Sequence, residues 1–320
     1  MVDLETKIGN LRMRTPLIAV SGIFGREHLN LFPELKGVGA VVTKSVTFNP
    51  RLGNPEPRII ETPAGLLNSI GLQNPGIYKY INDQIPTLRT LEVPIIASVA
   101  GSSVEEYVKC SSLLAPLDEV DAIELNVSCP NVDKGGMEFG CDPISLHRLI
   151  TKVRHAVGNK TLIVKLTPNI TDIAIPAQVA IDSGVDAISL INTLRGMAID
   201  LTTWKPKLGN RIGGLSGRAI HPIAVYMIYR CYTSCCKKNN VPIIGMGGVS
   251  SGEEALELIL VGATCVGVGT AMFNPFEVKK SNEGKEKESI FQKLEQYLLE
   301  YMEKRSIKNI SNLIGKAAAR

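Results

Sequence analysis

No stretch of this chain offers the ~20 unbroken apolar residues that a membrane-spanning helix needs. The most apolar segments, around Val93–Ala100 and Leu256–Val268, are short or cut by glycine. The N-terminus, MVDLETK, has no basic start with an apolar core behind it, so no secretory signal is expected. Charge of one sign is scarce. Lys and Arg number 35 against 31 Asp and Glu, and the excess of +4 is spread along 320 residues. That balance gives no footing for nucleic acid. The densest basic stretch, Lys279 to Lys287, is interleaved with Glu283 and Glu286 and reads as a solvated loop before a helix. The seven cysteines are odd in number and irregular in spacing, so they form no disulfide framework. Cys235-Cys236 lacks a second ligand pair at zinc spacing, and no metal is expected. A Walker sequence, a Gly-x-Gly-x-x-Gly opening a helix and a cysteine cluster at iron–sulfur spacing are all missing. A P-loop nucleotide site and a Rossmann dinucleotide site therefore have no support in the sequence. The expectation is a soluble, reduced, cytoplasmic protein.

What is present is regular. With 44% hydrophobic and 21% charged residues the composition is that of a folded globular chain. Short β-branched runs recur at Leu17–Val20, Ala40–Thr43, Pro94–Val99, Ala122–Asn126, Leu162–Leu166, Ala187–Ile191, Pro242–Met246 and Cys265–Val268. Several are continuous rather than alternating, as in parallel strands buried on both faces. Helical spacing fills the intervals Val104–Leu114, Ser145–Val157, Ile173–Ser183, Ile220–Lys237 and Gly252–Val261, and Ser289–Lys304 reads as a C-terminal helix. Eight strands alternating with helices predict an α/β fold, a (β/α)8 TIM barrel. The segment around 48–91, rich in Pro, Gly and Asn, is long for one connection and is expected to hold an inserted hairpin or lid. No internal repeat or linker divides the chain, so one domain over residues 1–320 is expected.

In such a barrel chemistry gathers at the C-terminal ends of the strands. There the sequence sets Thr43-Lys44-Ser45, Asn126 to Asn131, Lys165, Asn192-Thr193, Gly247-Gly248 and Gly269-Thr270. Glycines after the seventh and eighth strands suit a phosphate monoester, because bare backbone N–H groups can approach it closely. Lys165 lies within an apolar run, where an ammonium is costly unless an anion meets it. A reduced flavin, with charge at N1, is one such anion; a Schiff base with a carbonyl substrate is the rival reading. Lys44 suits a substrate carboxylate. Cys129 sits in a loop between Asn126 and Asn131, as a nucleophile or a general base. Cys110 and Cys231 read as helix core and Cys265 as strand.

The run ELNVSCPNVDKGGMEFGCDP (residues 124–143) resembles the catalytic loop of class 1 dihydroorotate dehydrogenases. So do NSIGLQNPG (68–76), VKLTPN (164–169), INT (191–193) and GGLSG (213–217), and the likeness runs in order from Ser21-Gly22 to Gly269-Thr270. RLGNPEPR (51–58) and the Gly135-Gly136 to Phe139-Gly140 continuation look like the 1B subgroup. The resemblance implies a homodimeric FMN barrel, one FMN per chain. It is joined in a heterotetramer to a subunit carrying FAD and an iron–sulfur cluster, which passes electrons to NAD. It implies oxidation of dihydroorotate to orotate in pyrimidine biosynthesis. Cys129 would take the C5 proton while hydride leaves C6 for flavin N5, and Lys165 would support the reduced flavin. Lys44 would touch flavin and substrate. Asn68, Ser69, Ile70, Gly71, Leu72, Asn126, Asn131, Asn192 and Thr193 would hold the pyrimidine ring and its carboxylate. Ser21, Gly22, Lys44, Ser45, Asn126, Lys165, Ile191, Gly217, Gly247, Gly248, Gly269 and Thr270 would surround FMN. Three positions depart from the pattern: Arg218 stands in place of a proline, Trp204 in place of an arginine, and Ser98 where an asparagine is frequent. The rivals are a dihydropyrimidine dehydrogenase-like barrel, against which Asn131 stands in place of a histidine, a 1A-like enzyme using fumarate, and a flavin- or phosphate-binding scaffold without turnover.

Overall fold

The computed structural model describes residues 2–24, 35–128, 130–131, 137–273 and 289–318. Its centre is a closed barrel whose strands stand in chain order. They are β1 (Leu17–Phe24), β2 (Ala40–Thr43), β3 (Ile95–Val99), β4 (Ala122–Asn126), β5 (Thr161–Lys165), β6 (Ala187–Leu190), β7 (Ile243–Met246) and β8 (Cys265–Val268). Every neighbouring pair is parallel, including β8 with β1, which closes the ring. The (β/α)8 barrel read from the sequence is the observed fold. The continuous apolar runs have their reason in the burial: β2, β3, β6, β7 and β8 are buried at every residue, because side chains fill the barrel on one face and helices cover the other.

The covering helices are α1 (Val104–Leu114), α2 (Pro143–Val157), α3 (Ala174–Asp182), α4 (His221–Cys231), α5 (Gly252–Leu260) and α6 (Ile290–Lys304). In α2 the buried residues Leu146, Leu149, Ile150, Val153 and Val157 form one stripe at helical spacing. Burying each such side chain stabilises the fold by roughly 1.5–3 kcal/mol. Their starts are written locally. Ser103, Asp142 and Ser251 each accept a hydrogen bond from the backbone N–H three residues on, and Ser289 forms a capping box with Gln292. The helix expected over 220–237 is α only to Cys231; Tyr232–Cys236 continues with the wider π spacing. β1 also outruns its expected four residues, reaching Phe24 through a shift of register after Ala19.

Two additions decorate the barrel. An N-terminal hairpin, Thr6–Ile8 with Leu11–Met13, lies against the start of β5, where the Asn10 N–H donates to Thr161 Oγ1. The segment around 48–91 holds the expected hairpin, Ile59–Thr62 with Gly65–Asn68, followed by a helical run from Ile77 to Leu91. The hairpin is half of a larger unit. Gly213–Ser216 pairs with Gly65–Asn68, and Leu194–Gly196 pairs with Gly213–Ser216, giving a four-stranded antiparallel sheet. The sheet joins the chain after β2 to the chain after β6, so it stands at the C-terminal rim. Among the described residues no helix is long and apolar enough to cross a membrane.

Candidate active site

Side chains on one face of adjacent parallel strands meet in register. Lys165 on β5 stands opposite Asn126 on β4 and Ser189 on β6. Asn126 faces the barrel mouth, where its Nδ2 donates to Ser45 Oγ at 3.3 Å and its Oδ1 accepts from Asn192 Nδ2 at 3.2 Å. Asn192 Nδ2 also reaches Ser128 Oγ at 2.8 Å. Ser45 Oγ lies 2.8 Å from Ser98 Oγ and 3.5 Å from Ser21 Oγ. The ends of β1, β2, β3, β4 and β6 are thus linked by one polar network. Ser98, at a position of departure, serves in it as a buried partner of Ser45. Lys165 is 7% exposed and has no hydrogen-bond or ion-pair partner among the described residues. Below it on the same face, Glu124 is buried with Oε2 unpartnered, and the hydroxyl of Ser189 is likewise buried and unpartnered. An ammonium so placed calls for an anion beyond the described residues.

The antiparallel sheet brings a second group to the same mouth. Asn68 stands opposite Gly214, and its Nδ2 donates to the Gly214 carbonyl at 3.2 Å. Gly214 packs against Thr193: a Cβ there would stand 2.0 Å from Thr193 Oγ1. The Thr193 N–H donates to Asn192 Oδ1 at 2.8 Å. Asn68, Thr193, Asn192 and Asn126 therefore form a continuous amide-rich wall. Gly214→Ala is expected to push Thr193 aside and raise KM for the substrate with little change in flavin content; steady-state kinetics against the flavin-to-protein ratio checks this. The turn Ser69–Leu72 follows, with positive φ at Gly71 and Leu72. The segment 51–58 backs it: Asn54 Nδ2 donates to Ser69 Oγ at 2.8 Å, and the Asn54 N–H to the Ile70 carbonyl at 3.1 Å. Lys44 follows β2 directly.

Three loops converge beside this wall. Gly217 and Gly248 have φ of 93° and 74°, a region open to glycine. A Cβ on Gly248 would lie 2.7 Å from the Gly217 carbonyl oxygen, so the loops after the sheet and after β7 touch. Thr270 Oγ1, after β8 and Gly269, donates to Ser216 Oγ at 2.8 Å. Ile191 lies beside Gly247, and its N–H donates to the Met246 carbonyl at 3.0 Å. The N–H groups of Gly248 and Thr270 make no hydrogen bond among the described residues. Bare amides on glycine-lined loops after β7 and β8 can take a phosphate. Gly22 opens toward the same rim, with no atom near where its Cβ would be.

Two of the expected residues are not placed. Cys129 lies outside the described residues. The backbone of Asn131 pairs with Met137, while its side chain lies outside what is described. Among the other cysteines, Cys235 is lowered by its hydrogen bond with Cys236 and lies buried in the helical run after α4, while the rest are raised. Burial pushes Cys110 up to about 12, with Glu106 adding to it, and raises Cys231 and Cys265 as well. Cys141 is raised by burial and then by Glu138. Among the described residues no group of His, Cys, Asp or Glu converges as a metal site. Arg218 reaches Glu254 at 3.0 Å, and Trp204 sits 86% exposed at the turn joining Ile199–Asp200 to Lys205–Pro206.

Sequence reasoning passed over several supports. Asn169 Nδ2 donates to the Thr193 carbonyl at 3.2 Å, and its Oδ1 accepts from the Arg195 N–H at 2.9 Å. Arg195 pairs with the buried Glu138 at 2.5 Å. Asn169 was visible as the end of VKLTPN; Arg195–Glu138 joins residues 57 apart and left no local signal.

The model of the family described as dihydroorotate dehydrogenase matches residues 3–287. A protein of Trichlorobacter lovleyi named "Dihydroorotate dehydrogenase B (NAD(+)), catalytic subunit" is 46% identical over 314 residues, covering 98% of this chain and 97% of the relative. Proteins of the same name from Caldicellulosiruptor bescii and Alkaliphilus oremlandii are 44% and 46% identical over 317 residues, each covering 98% of this chain and 99% and 98% of their own lengths. With the strand-end motifs, the barrel and these matches in agreement, the chain belongs to the dihydroorotate dehydrogenase family.

Proposed function

We propose that this chain oxidises dihydroorotate to orotate in pyrimidine biosynthesis, with FMN in the barrel mouth and Cys129 as general base. The observation that carries the reading is Lys165, a buried ammonium without a partner among the described residues, set beside the amide wall of Asn126, Asn192 and Asn68. A planar ring with imide edges and a carboxylate asks for several amides and a cation. Asn68, the turn Ser69–Leu72, Asn126, Asn131, Asn192 and Thr193 would hold the ring, and Lys44 its carboxylate. Gly217, Gly247, Gly248, Gly269 and Thr270 would take the phosphate, and Ser21, Gly22, Lys44, Ser45, Asn126, Lys165 and Ile191 would border the flavin. Bound FMN would supply a two-electron acceptor for the hydride. Lys165 would stabilise the negative charge that arrives with it, and Cys129 would take the proton. One domain does all of this.

The chain carries no dinucleotide fingerprint and no iron–sulfur cysteine cluster. The words "catalytic subunit" and "NAD(+)" in the relatives' names support a second subunit on the way to NAD; that it holds FAD and an iron–sulfur cluster rests on the 1B resemblance of the sequence. The exposed apolar residues Met197, Ile199, Leu201, Trp204 and Ile212 suit a second copy of this chain, and so a homodimer. The test is anaerobic. Purified chain mixed with dihydroorotate should bleach its flavin and reduce artificial dyes, yet leave NAD unreduced until the partner subunit is added. Fast turnover with fumarate, or NAD reduction without a partner, would overturn the NAD-linked assignment; a flavin that dihydrouracil bleaches and dihydroorotate does not would overturn the substrate.

A further inference from the structure

We propose that His221 is a positioning residue for the cofactor phosphate: pinned between the Gly247 carbonyl and Glu257, it aims the Gly248 N–H at the phosphate. The inference rests on the flavin-phosphate reading of this loop given above.

His221 opens α4, four residues beyond Gly217, and is 7% exposed. Its Nδ1 lies 2.8 Å from the Gly247 carbonyl oxygen. A carbonyl only accepts, so Nδ1 carries the hydrogen and donates it. Its Nε2 lies 3.0 Å from Glu257 Oε2 on α5, and a carboxylate likewise only accepts, so in this tie Nε2 donates too and both ring nitrogens carry hydrogen. One imidazole thus ties the loop after β7 to α5 across the start of α4. The consequence follows from the peptide plane. The Gly247 carbonyl and the Gly248 N–H belong to one planar unit and point in opposite directions. Holding the carbonyl on His221 therefore aims the N–H away from it, and this N–H has no hydrogen-bond partner among the described residues.

The loop needs such a tether. Gly247 and Gly248 have φ of 141° and 74°, and glycines in this region swing easily to other conformations. His221 also walls the loop, since a Cβ on Gly248 would stand 2.9 Å from His221 Cβ. The far end of the loop is held from the same helix: Glu254 Oε2 accepts from the Ser250 N–H at 2.7 Å and from Ser250 Oγ at 2.8 Å. Its Oε1 accepts from Arg218 Nε at 3.0 Å, so two acids of α5 brace both loops of the cradle.

The test uses apoprotein titrated with FMN and, in parallel, with riboflavin, which lacks the phosphate. H221N keeps an amide donor near the position of Nδ1, whereas H221Q reaches toward Glu257 and loses the donor to Gly247. FMN affinity should fall roughly tenfold or more in H221Q and H221A, the scale of one hydrogen bond, and stay within about threefold of wild type in H221N. The phosphorus NMR resonance of bound FMN should move in H221Q and not in H221N. Riboflavin affinity should be the same in all four proteins. Wild-type FMN affinity in H221Q and H221A, or a parallel loss of riboflavin binding, would overturn the proposal. A wild-type chain that binds neither flavin would overturn the flavin reading itself, and this proposal with it.

Discussion

Replacing Lys165 with methionine should slow flavin reduction by dihydroorotate by on the order of 10²–10³-fold while the chain stays folded, the usual cost of removing one preorganised electrostatic group. On the proposed reading the charge of Lys165 would act mainly on a state that carries negative charge on the flavin, so its effect would fall on reduction more than on binding of the oxidised cofactor. Losing about 2.7–4 kcal/mol of such stabilisation corresponds to a reduction potential lower by roughly 60–85 mV for a two-electron couple. Lys165→Arg keeps the charge and should retain more of both rate and potential than methionine does. The apoprotein supplies an independent reading. A buried ammonium with no partner among the described residues is a burden on the empty barrel, so methionine should leave its Tm unchanged or raise it. Stopped-flow reduction, potentiometry and thermal melts measure the three quantities. Unchanged rate and potential in the methionine variant would make Lys165 a structural residue and place the flavin elsewhere.

The barrel was legible because its strands are buried on both faces and so leave continuous apolar runs that survive as a local signal. The site was legible for a related reason. Polar residues such as Lys44, Asn126, Lys165 and Asn192 fall where apolar runs end, and a barrel turns that linear regularity into one rim. The four-stranded sheet was only half visible. Ile59–Thr62 and Gly65–Asn68 announce a hairpin, but Leu194–Gly196 and Gly213–Ser216 are too short and too rich in glycine to read as strands. They pair because Gly214 lets Thr193 and Asn68 close on it, a three-body fit that no window of sequence contains. His221 was hidden for the same cause. Its partners Gly247 and Glu257 lie 26 and 36 residues away, and only the fold brings them to one ring. The segment 51–58, read as a mark of subgroup, has a structural office as well. Arg58 Nε donates to the Asn54 carbonyl at 2.5 Å and its Nη1 to Gln73 Oε1 at 2.7 Å, which stiffens the turn that follows Asn68.

Replacing Cys129 with serine should slow flavin reduction near neutral pH by on the order of 10²–10⁴-fold, the usual contribution of a positioned general base. A thiol titrates at about 8.5, so a few per cent is ionised at pH 7, whereas a serine hydroxyl is far less acidic. The pH dependence follows in sign. The wild-type rate should rise with pH as the thiol ionises and then level off; the serine variant should keep rising and recover part of the loss at high pH. Flavin content should not change, because the residues that would border the cofactor lie on other strand ends or, for Asn126, three residues before Cys129 on β4 itself, and none of them is the thiol. The other six cysteines offer no substitute base: Cys110, Cys231, Cys236 and Cys265 are buried, Cys235, though lowered by its hydrogen bond with Cys236, is buried in the helical run after α4, and the Cys141 thiol is raised by burial and by Glu138. The approach to residue 129 is braced on its N-terminal side. Ser128 Oγ accepts from Asn192 Nδ2 at 2.8 Å, and the Tyr107 hydroxyl donates to the Asn126 carbonyl at 2.6 Å. Asn192→Ala should therefore mimic part of the serine phenotype, slowing reduction through a loosened loop while leaving the wild-type pH profile in place. Anaerobic stopped-flow across pH separates the two effects. A Cys129→Ser chain that reduces its flavin at the wild-type rate over the whole range would remove the thiol from the mechanism and return the proton to solvent or to a neighbouring group.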